Sequence, residues 1–343
     1  MAEQGLTYAS AGVSFGANEA AMKRLKPIVQ STYRPEVLSD VGSFGGLFAL
    51  GEYEKPVLVS STDSVGTKLK VAFMTDWHDT VGFDIVAHCG NDILVQGAES
   101  LFFLDYIGMG KLRPEVVEQI VSGLAKGCRE IGCALIGGET AELPEFYAED
   151  EYDLVGTIVG VVEQSQLITG SNIEPGDRLV GLSSLGLHTN GFSLARRIVF
   201  DVCGYQADQH IPELGITAGD ELLKHHKSYV KSVLMLRKHY DIKGVAHITG
   251  GGLPDNVVRI LPPNCCAEIQ KDAWEMPPIF PFLQEKGSVD ESEMYRVFNM
   301  GIGLVLIIPP NQVEAAIDAL EAAGESPVLI GVILPEERSV RIV

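Results

Sequence analysis

Short apolar runs alternate with segments of helical period along most of this 343-residue chain. The alternation constrains the fold because buried strands separated by amphipathic helices form α/β or α+β layers. It predicts strands at 56–63, 100–110, 133–139, 153–162, 178–184, 245–249, 301–309 and 328–334. It predicts helices at 80–99, 113–132, 193–203, 229–239, 252–261 and 311–324. The pattern breaks at the turn signal Pro175-Gly176, so we predict an α/β (α+β) chain with domains at 1–170 and 171–343.

Charge and composition exclude several classes of function. The chain has 26 basic and 46 acidic residues, a net charge of −20, and such a surface repels nucleic-acid phosphates. Its longest apolar runs, such as 301–308, are far shorter than the roughly 20 residues of a membrane helix. The first residues have neither a basic nor an apolar leader region, and the six cysteines form no C-x-x-C pair. We therefore expect a cytoplasmic protein that binds neither nucleic acid nor membrane.

Acidic residues follow or interrupt apolar segments at three places in the first half. Asp63 comes at a predicted strand end, where a carboxylate is well placed to bind Mg²⁺, and Lys68 follows it as a possible charge on a phosphate. Asp92 shares a predicted helical face with apolar residues, so it needs a partner or a cation. Glu139 follows Gly137-Gly138 at another strand end. The alternatives are an ordinary turn with a solvated lysine, a misjudged helix register and a plain strand-to-loop turn.

The second half contains two polar segments that each join a strand to a helix. In the first, His188 is a candidate acid or base, while Asn190 and Ser193 could simply cap the helix. In the second, His247 precedes the loop 250–252, Gly-Gly-Gly, which opens a helix. Backbone N–H groups at such a position can bind a phosphate, although the loop is not a G-x-G-x-x-G fingerprint.

Six motifs follow one another in order: S-T-D-S-V-G-T-K, N-D-I-L-V-Q-G-A-E, F-L-D-Y, G-G-E-T-A-E, H-T-N-G-F-S-L and H-I-T-G-G-G. With these motifs the chain resembles the phosphoribosylformylglycinamidine cyclo-ligases, the aminoimidazole ribonucleotide synthetases of purine biosynthesis. The resemblance extends from the segment 8–13 to the last strand. It implies an ATP- and Mg²⁺-dependent ligase that closes the imidazole ring of a small phosphoribosyl substrate. It also implies a homodimer in which the N-terminal sheets form a barrel, beside a C-terminal α/β domain.

The resemblance assigns roles to particular residues. It implies catalytic roles for His188, Asn190 and Lys68, and Mg²⁺ ligation by Asp63, Asp92 and Asp105. The implied nucleotide- and phosphate-binding residues are Gly45, Gly46, Asp63, Asp92, Glu139, Thr140, His247, Gly250, Gly251 and Gly252.

Other functions remain as alternatives. Selenophosphate synthetases need an N-terminal Cys or selenocysteine, but the first cysteine here is Cys89. The hydrogenase maturation protein ends in a Cys, but this chain ends in Val343. A thiamine-monophosphate kinase is harder to exclude from residues, although the motifs around His188 and His247 favour the cyclo-ligase. A nucleotide-binding scaffold without turnover would have lost some of the acids or loop glycines, and all are present.

Overall fold

A computed structural model describes residues 15–343, so the segment 8–13 of the resemblance lies outside the described residues. The first half contains helices α1 (Phe15–Gln30), α2 (Leu69–Thr75), α3 (Asp79–Leu94) and α4 (Pro114–Ile131), with strands β1 (Pro56–Ser64), β2 (Glu99–Met109), β3 (Ala134–Glu142) and β4 (Tyr152–Glu163). The later helices are α5 (Phe192–Arg196), α6 (Ala218–Leu222), α7 (Val230–Leu236), α8 (Gly252–Val257), α9 (Ile279–Gly287), α10 (Glu291–Val297) and α11 (Val313–Ala322). The later strands are β5 (Arg178–Ser183), β6 (His210–Ile211), β7 (Ile216–Thr217), β8 (Gly244–His247), β9 (Cys266–Ile269), β10 (Ile302–Ile308), β11 (Pro327–Leu334) and β12 (Ser339–Ile342).

The first half forms a four-stranded sheet in the order β1-β4-β2-β3. Strand β4 is antiparallel to β1 and β2, and β2 is parallel to β3. Strands β1, β2 and β3 therefore run in one direction, and their carboxyl ends share one edge of the sheet. Helices α3 and α4 pack against one face, where Phe103 and Ile107 of β2 are fully buried. The glycines Gly82 and Gly123 let these helices pack backbone against backbone, since an added Cβ on either would collide with the facing helix.

The second half forms a six-stranded sheet in the order β12-β9-β11-β5-β10-β8. All its pairings are antiparallel except β12 with β9, so this half is of the α+β type. Strand β10 lies inside the sheet and is buried along its whole length, which explains its continuous apolar sequence.

The predicted alternation is confirmed, with differences at element ends. The helix predicted at 80–99 ends at Leu94, and a tight connection through Gly97 (φ 79°) leads into β2 at Glu99. The helix predicted at 193–203 is α5 followed by a π-helical turn at Arg197–Val202. Helix α1 and strand β9 have too little periodicity or length to be predicted from sequence. No helix within residues 15–343 is long and apolar enough to cross a lipid bilayer.

Candidate active site

Two of the polar motifs meet where the two halves of the chain join. The segment after β1 lies against the segment after β5, and the hydroxyls of Thr67 and Ser193 are 3.1 Å apart. Asn91 of α3 also crosses this junction, because its amide nitrogen donates to Lys227 O at 2.8 Å and its oxygen accepts from Tyr229 N at 3.0 Å. We call this region the domain junction. Motifs more than 100 residues apart in sequence are therefore neighbours in space.

Lys68 lies inside the domain junction and has no exposed surface. Its ammonium forms an ion pair with Asp84 at 2.6 Å and donates to the backbone oxygens of His188 at 3.1 Å and Lys224 at 2.7 Å. Burial lowers the pKa of Lys68, and the carboxylate of Asp84 opposes this effect. Because an ammonium has three N–H groups and all three have partners, the predicted direct contact of Lys68 with a phosphate does not fit this geometry. The structure instead assigns Lys68 a positioning role.

His88 of α3 lies between Asp63 and Asp92 and is close to both carboxylates. The Nε2 atom of His88 is 2.9 Å from Asp63 and 3.7 Å from Asp92. Burial opposes a charge on His88, but the two carboxylates outweigh it and raise its pKa. Asp92 also accepts from Ser61 at 2.9 Å and from His247 at 2.8 Å. The prediction that Asp92 needs a partner is confirmed, and side-chain donors meet that need.

His247 connects this group to the glycine loop. It ends strand β8, and a cavity of about 430 Å³ opens beside it, lined also by Asp92, Thr249 and Arg259. Burial lowers the pKa of His247 even though Asp92 accepts its Nδ1–H. Gly250 is exposed, whereas Gly252 is buried against the backbone of Tyr295. The loop therefore has one glycine open to a ligand and one required by packing.

His188 lies in the interior and not at the predicted substrate-facing position. Its side chain is 1% exposed, and its ring stacks on His226 with the centroids 4.1 Å apart. Burial lowers its pKa well below the usual range. Gly303 of β10 makes room for it, since an added Cβ there would lie 2.5 Å from His188 Cε1. Asn190 is only partly buried, and its side-chain oxygen would lie 3.5 Å from a Cβ on Gly250. Asn190, not His188, is the residue of this motif that faces the glycine loop.

The remaining candidates lie at the far edge of the four-stranded sheet. Gly45 and Gly46 are exposed, and a Cβ on Gly46 would lie 2.8 Å from Ile136 of β3. The same strand continues to Glu139, which is exposed, and Thr140, which is partly exposed. The structure therefore places this loop beside β3, the strand that carries Glu139 and Thr140, and their nucleotide-binding role stays a prediction.

Asp105 does not join Asp63 and Asp92 in one ligand set. Asp63 and Asp105 both pair with Gly156 of β4, from opposite sides, so two strand spacings of about 4.8 Å each separate them. Among the described residues, the oxygens of Asp63, Asp92 and Asp105 do not form a group of ligand atoms within 4.8 Å of one another. Burial and the charge of Glu139 raise the pKa of Asp105 to about 7. The structure therefore does not gather the predicted triad into one site, and Mg²⁺ ligation by its members stays a prediction.

Sequence reasoning missed four residues of the domain junction: Asp84, His88, Thr189 and His226. His88 stands one helical turn before Asp92, and this i, i+4 spacing is a signal that could have indicated it. Asp84 lies a further turn back on the same helix. His226 lies in the connection between α6 and α7 and has no sequence signal, because only the tertiary fold brings it to the junction.

The buried ion pair provides a first prediction. Asp84→Asn leaves the Lys68 charge without its partner in the interior, so we expect the free energy of unfolding to fall by about 3–5 kcal/mol. Lys68→Met combined with Asp84→Asn removes both charges, and we expect this double variant to recover part of the loss. Urea unfolding followed by fluorescence measures both effects. Lys68→Met is also measured alone. A double variant whose loss of stability equals the sum of the losses in Asp84→Asn and Lys68→Met would contradict the interpretation.

The raised pKa of Asp105 provides a second prediction. Its folded-state pKa of about 7 exceeds the usual 3.8, so the folded chain binds more protons between these values and stability falls as the pH rises through them. Asp105→Asn cannot titrate, so we expect it to reduce the fall in melting temperature between about pH 5 and about pH 8. The exposed Asp201→Asn is the matched control and should keep the wild-type slope. Equal slopes in all three proteins would show that Asp105 titrates normally.

Comparisons with known proteins agree with this two-part arrangement. The family model described as AIR synthase related protein, N-terminal domain, matches residues 48–162, and the C-terminal domain of the same family matches residues 174–343. The solved thiamine-monophosphate kinase of Stenotrophomonas maltophilia has a TM-score of 0.69 at 18% identity, over 94% of this chain and 95% of that one. The hydrogenase maturation protein HypE of E. coli has a TM-score of 0.66 at 17% identity, over 95% and 92%. The chain therefore has the two-domain AIR synthase-like fold.

Curated relatives identify the family more narrowly. A phosphoribosylformylglycinamidine cyclo-ligase of Syntrophotalea carbinolica is 54% identical over 328 residues, which cover 95% of this chain and 94% of the relative. One of Trichlorobacter lovleyi is 54% identical over 333 residues, or 96% and 95% of the two chains. At this coverage the similarities extend over both halves of the chain. The chain therefore belongs to the phosphoribosylformylglycinamidine cyclo-ligase family, the ATP-dependent ligases of purine biosynthesis.

Proposed function

We propose that this chain converts ATP and formylglycinamidine ribonucleotide into aminoimidazole ribonucleotide, ADP and phosphate. The observation that carries the proposal is the 54% identity over 95% of the chain to a relative with this name. The domain junction supports it, because residues from four of the six motifs contact one another there or line its cavity. The fold alone would not distinguish this reaction from others on the same scaffold.

The reaction needs an activated oxygen and a close nucleophile. The γ-phosphoryl group of ATP is transferred to the formyl amide oxygen, which then leaves as phosphate when an internal nitrogen attacks the same carbon. One C–N bond forms, one C–O bond breaks, and the imidazole ring closes. Such a reaction depends on holding the nitrogen and the carbon together and on balancing the phosphoryl charge. The rigid junction and its carboxylates and polar side chains suit that task.

Asp63 is the carboxylate of this chain that best fits Mg²⁺. Its side chain is 42% exposed at the end of β1; its Oδ2 atom contacts His88, and its Oδ1 atom accepts from the backbone N–H of Ser64. Asp92 is less exposed, at 27%, and both its oxygens accept from side chains, so Asp92 serves to position His247. When bound, Mg²⁺ neutralises phosphate oxygens of ATP. Asp63 would hold the ion, while Gly45, Gly46 and Glu139 would contact the nucleotide.

The cavity beside His247 is the proposed place for the substrate's phosphoribosyl group. Thr249 and Arg259 line it, and the exposed Gly250 stands at the glycine loop next to it. A guanidinium, a hydroxyl and open backbone N–H groups are the donors that a phosphate needs. These local donors oppose the acidic net charge of the chain. The six cysteines are all free, which is typical of a reducing compartment, and we include a cytoplasmic location in the proposal.

A direct assay tests the proposal. The protein is mixed with ATP, Mg²⁺ and formylglycinamidine ribonucleotide, and both ADP and the diazotisable aminoimidazole are measured. We expect one aminoimidazole for each ADP. ADP release with thiamine monophosphate as acceptor, and none with formylglycinamidine ribonucleotide, would favour the kinase alternative instead.

The same assay tests the role of Asp63. Asp63→Asn keeps the shape but removes the charge that holds Mg²⁺, so we expect kcat/KM to fall by about 100-fold or more. The exposed Asp201→Asn is the control for the same chemical change and should retain wild-type turnover. Wild-type turnover in Asp63→Asn would exclude Asp63 as the Mg²⁺ ligand.

We also propose a homodimer formed by the face of the four-stranded sheet opposite α3 and α4. Among the described residues no helix packs on this face, which carries the partly exposed Phe102, Leu104 and Tyr106 of β2 and Leu58 of β1, 62% exposed. The ring of Phe102 packs against that of Phe48. A sheet face exposed to water is normally polar, so an apolar one indicates an interface. Two such faces packed together fit the barrel that the resemblance implies.

Leu104→Glu tests the dimer. A charge on the apolar face should convert the dimer to a monomer, measured by sedimentation equilibrium. Leu329→Glu places the same charge on the second sheet, where Leu329 is 46% exposed, and should leave the dimer intact. A wild-type protein that sediments as a monomer would refute the proposal.

A further inference from the structure

Four histidines from distant parts of the chain meet inside the domain junction. His88 comes from α3, His188 follows β5, His226 precedes α7 and His247 ends β8. Each is at most 6% exposed. The rings of His88, His226 and His247 lie 5.1–5.2 Å apart, centroid to centroid, and His188 stacks on His226. We call these residues the four-histidine cluster.

Two nitrogens of the cluster point at each other. His226 Nε2 and His247 Nε2 are 3.0 Å apart. The other ring nitrogen of His247 bonds to Asp92 at 2.8 Å, and that of His226 lies 3.2 Å from the hydroxyl of Thr189. Asn91 Nδ2 lies 3.3 Å from His226 Nε2. The outer nitrogens are therefore anchored to oxygen atoms, while the inner nitrogens converge, which is the arrangement in which a cation can replace the proton between them.

His188 supplies a second, independent observation. Neither of its ring nitrogens has a hydrogen-bond partner, although both are buried. An unpaired polar atom in the interior costs free energy, so such atoms are rare without a function. The backbone of His188 is also in the left-handed region, at φ 61°, which is uncommon for a residue with a side chain. A ligand nitrogen of His188 lies within 4.8 Å of those of His226 and His247.

We propose that His188, His226 and His247 bind one divalent transition-metal ion of the zinc class. Imidazole nitrogen is a preferred ligand of Zn²⁺, and three histidines with one open position are a known ligand set for this ion. In a tetrahedral site with Zn–N bonds of about 2.0–2.1 Å, ligand nitrogens are about 3.4 Å apart. The pair at 3.0 Å is already near this value, whereas His188 must turn out of its stack on His226 before one of its nitrogens points at the ion.

Asp92 completes the arrangement from the other half of the chain. A histidine bound to a metal usually donates its second N–H to a carboxylate, which fixes the ring and strengthens the ligand. Asp92 accepts from His247 in this way, and it belongs to α3, whereas the three ligands belong to the second half. The ion would therefore strengthen the hydrogen bond between His247 and Asp92, which joins the two halves. It differs from the proposed Mg²⁺ in ligand type, because Mg²⁺ prefers oxygen.

Metal analysis of the full-length protein tests the proposal independently of catalysis. The protein is stripped with a chelator, reloaded with Zn²⁺, desalted and measured by plasma mass spectrometry. We expect about one Zn²⁺ per chain. Replacement by Co²⁺ should give the visible d–d bands of a tetrahedral site without the thiolate charge-transfer band that binding to cysteine would produce. Absence of Zn²⁺ and of these bands in the wild-type protein overturns the proposal, whatever the turnover assay shows.

Variants locate the ion. His226→Gln removes one ligand and should weaken Zn²⁺ affinity at least about tenfold, with unchanged circular dichroism. His239→Gln, at an exposed histidine outside the cluster, is the matched control and should bind Zn²⁺ as the wild type does. His188→Gln is the second ligand variant, used if His226→Gln does not fold. Wild-type affinity in a folded His226→Gln or His188→Gln variant would overturn this ligand set.

Discussion

The ion pair between Lys68 and Asp84 is the interaction on which the domain junction depends. It is fully buried, both of its residues belong to the first half, and its backbone hydrogen bonds all go to the second half. Lys68 donates to the backbone oxygens of His188 and Lys224, and Asp84 accepts from the backbone of His226 at 2.7 Å. One pair of charges therefore positions both histidines that stack in the cluster. A buried charge is costly unless every donor has a partner, which makes this geometry difficult to vary.

The four-histidine cluster and the proposed active site share this framework. Asp92 of α3 accepts hydrogen bonds from His247 and from Ser61. His88 of the same helix contacts Asp63 at the end of β1. These side chains therefore form one network of polar contacts that includes the carboxylate that we propose for Mg²⁺. His247 is both a proposed ligand of the zinc-class ion and a residue that lines the substrate cavity. Some residues of the sequence motifs therefore bind a ligand, and others hold a neighbouring side chain in position.

Much of the fold could be predicted from periodicity. The apolar run of β10 indicates a fully buried strand, and the spacing of apolar residues in α4 indicates a helix with one buried face. The helix containing Asp92 and its need for a partner were also predictable from the free-energy cost of burying a charge. Its actual partner, His247, was not, since the two residues are 155 positions apart. The buried position of Lys68 was not predictable for the same reason. A lysine after a strand end has the same sequence pattern whether it meets a phosphate or a buried aspartate.

The sequence by itself determined the alternation of strands and helices, the family, and the set of polar residues that carry the chemistry. These are local properties: hydrophobic period, turn residues and short motifs act within a few positions of one another. Only the tertiary structure decided which of those residues meet. It separated Asp105 from Asp63 by two strands, buried His188 and Lys68, and brought His88 and His226 into the junction. The physical reason is that distances between side chains on different elements depend on strand order and helix packing, which no local pattern contains.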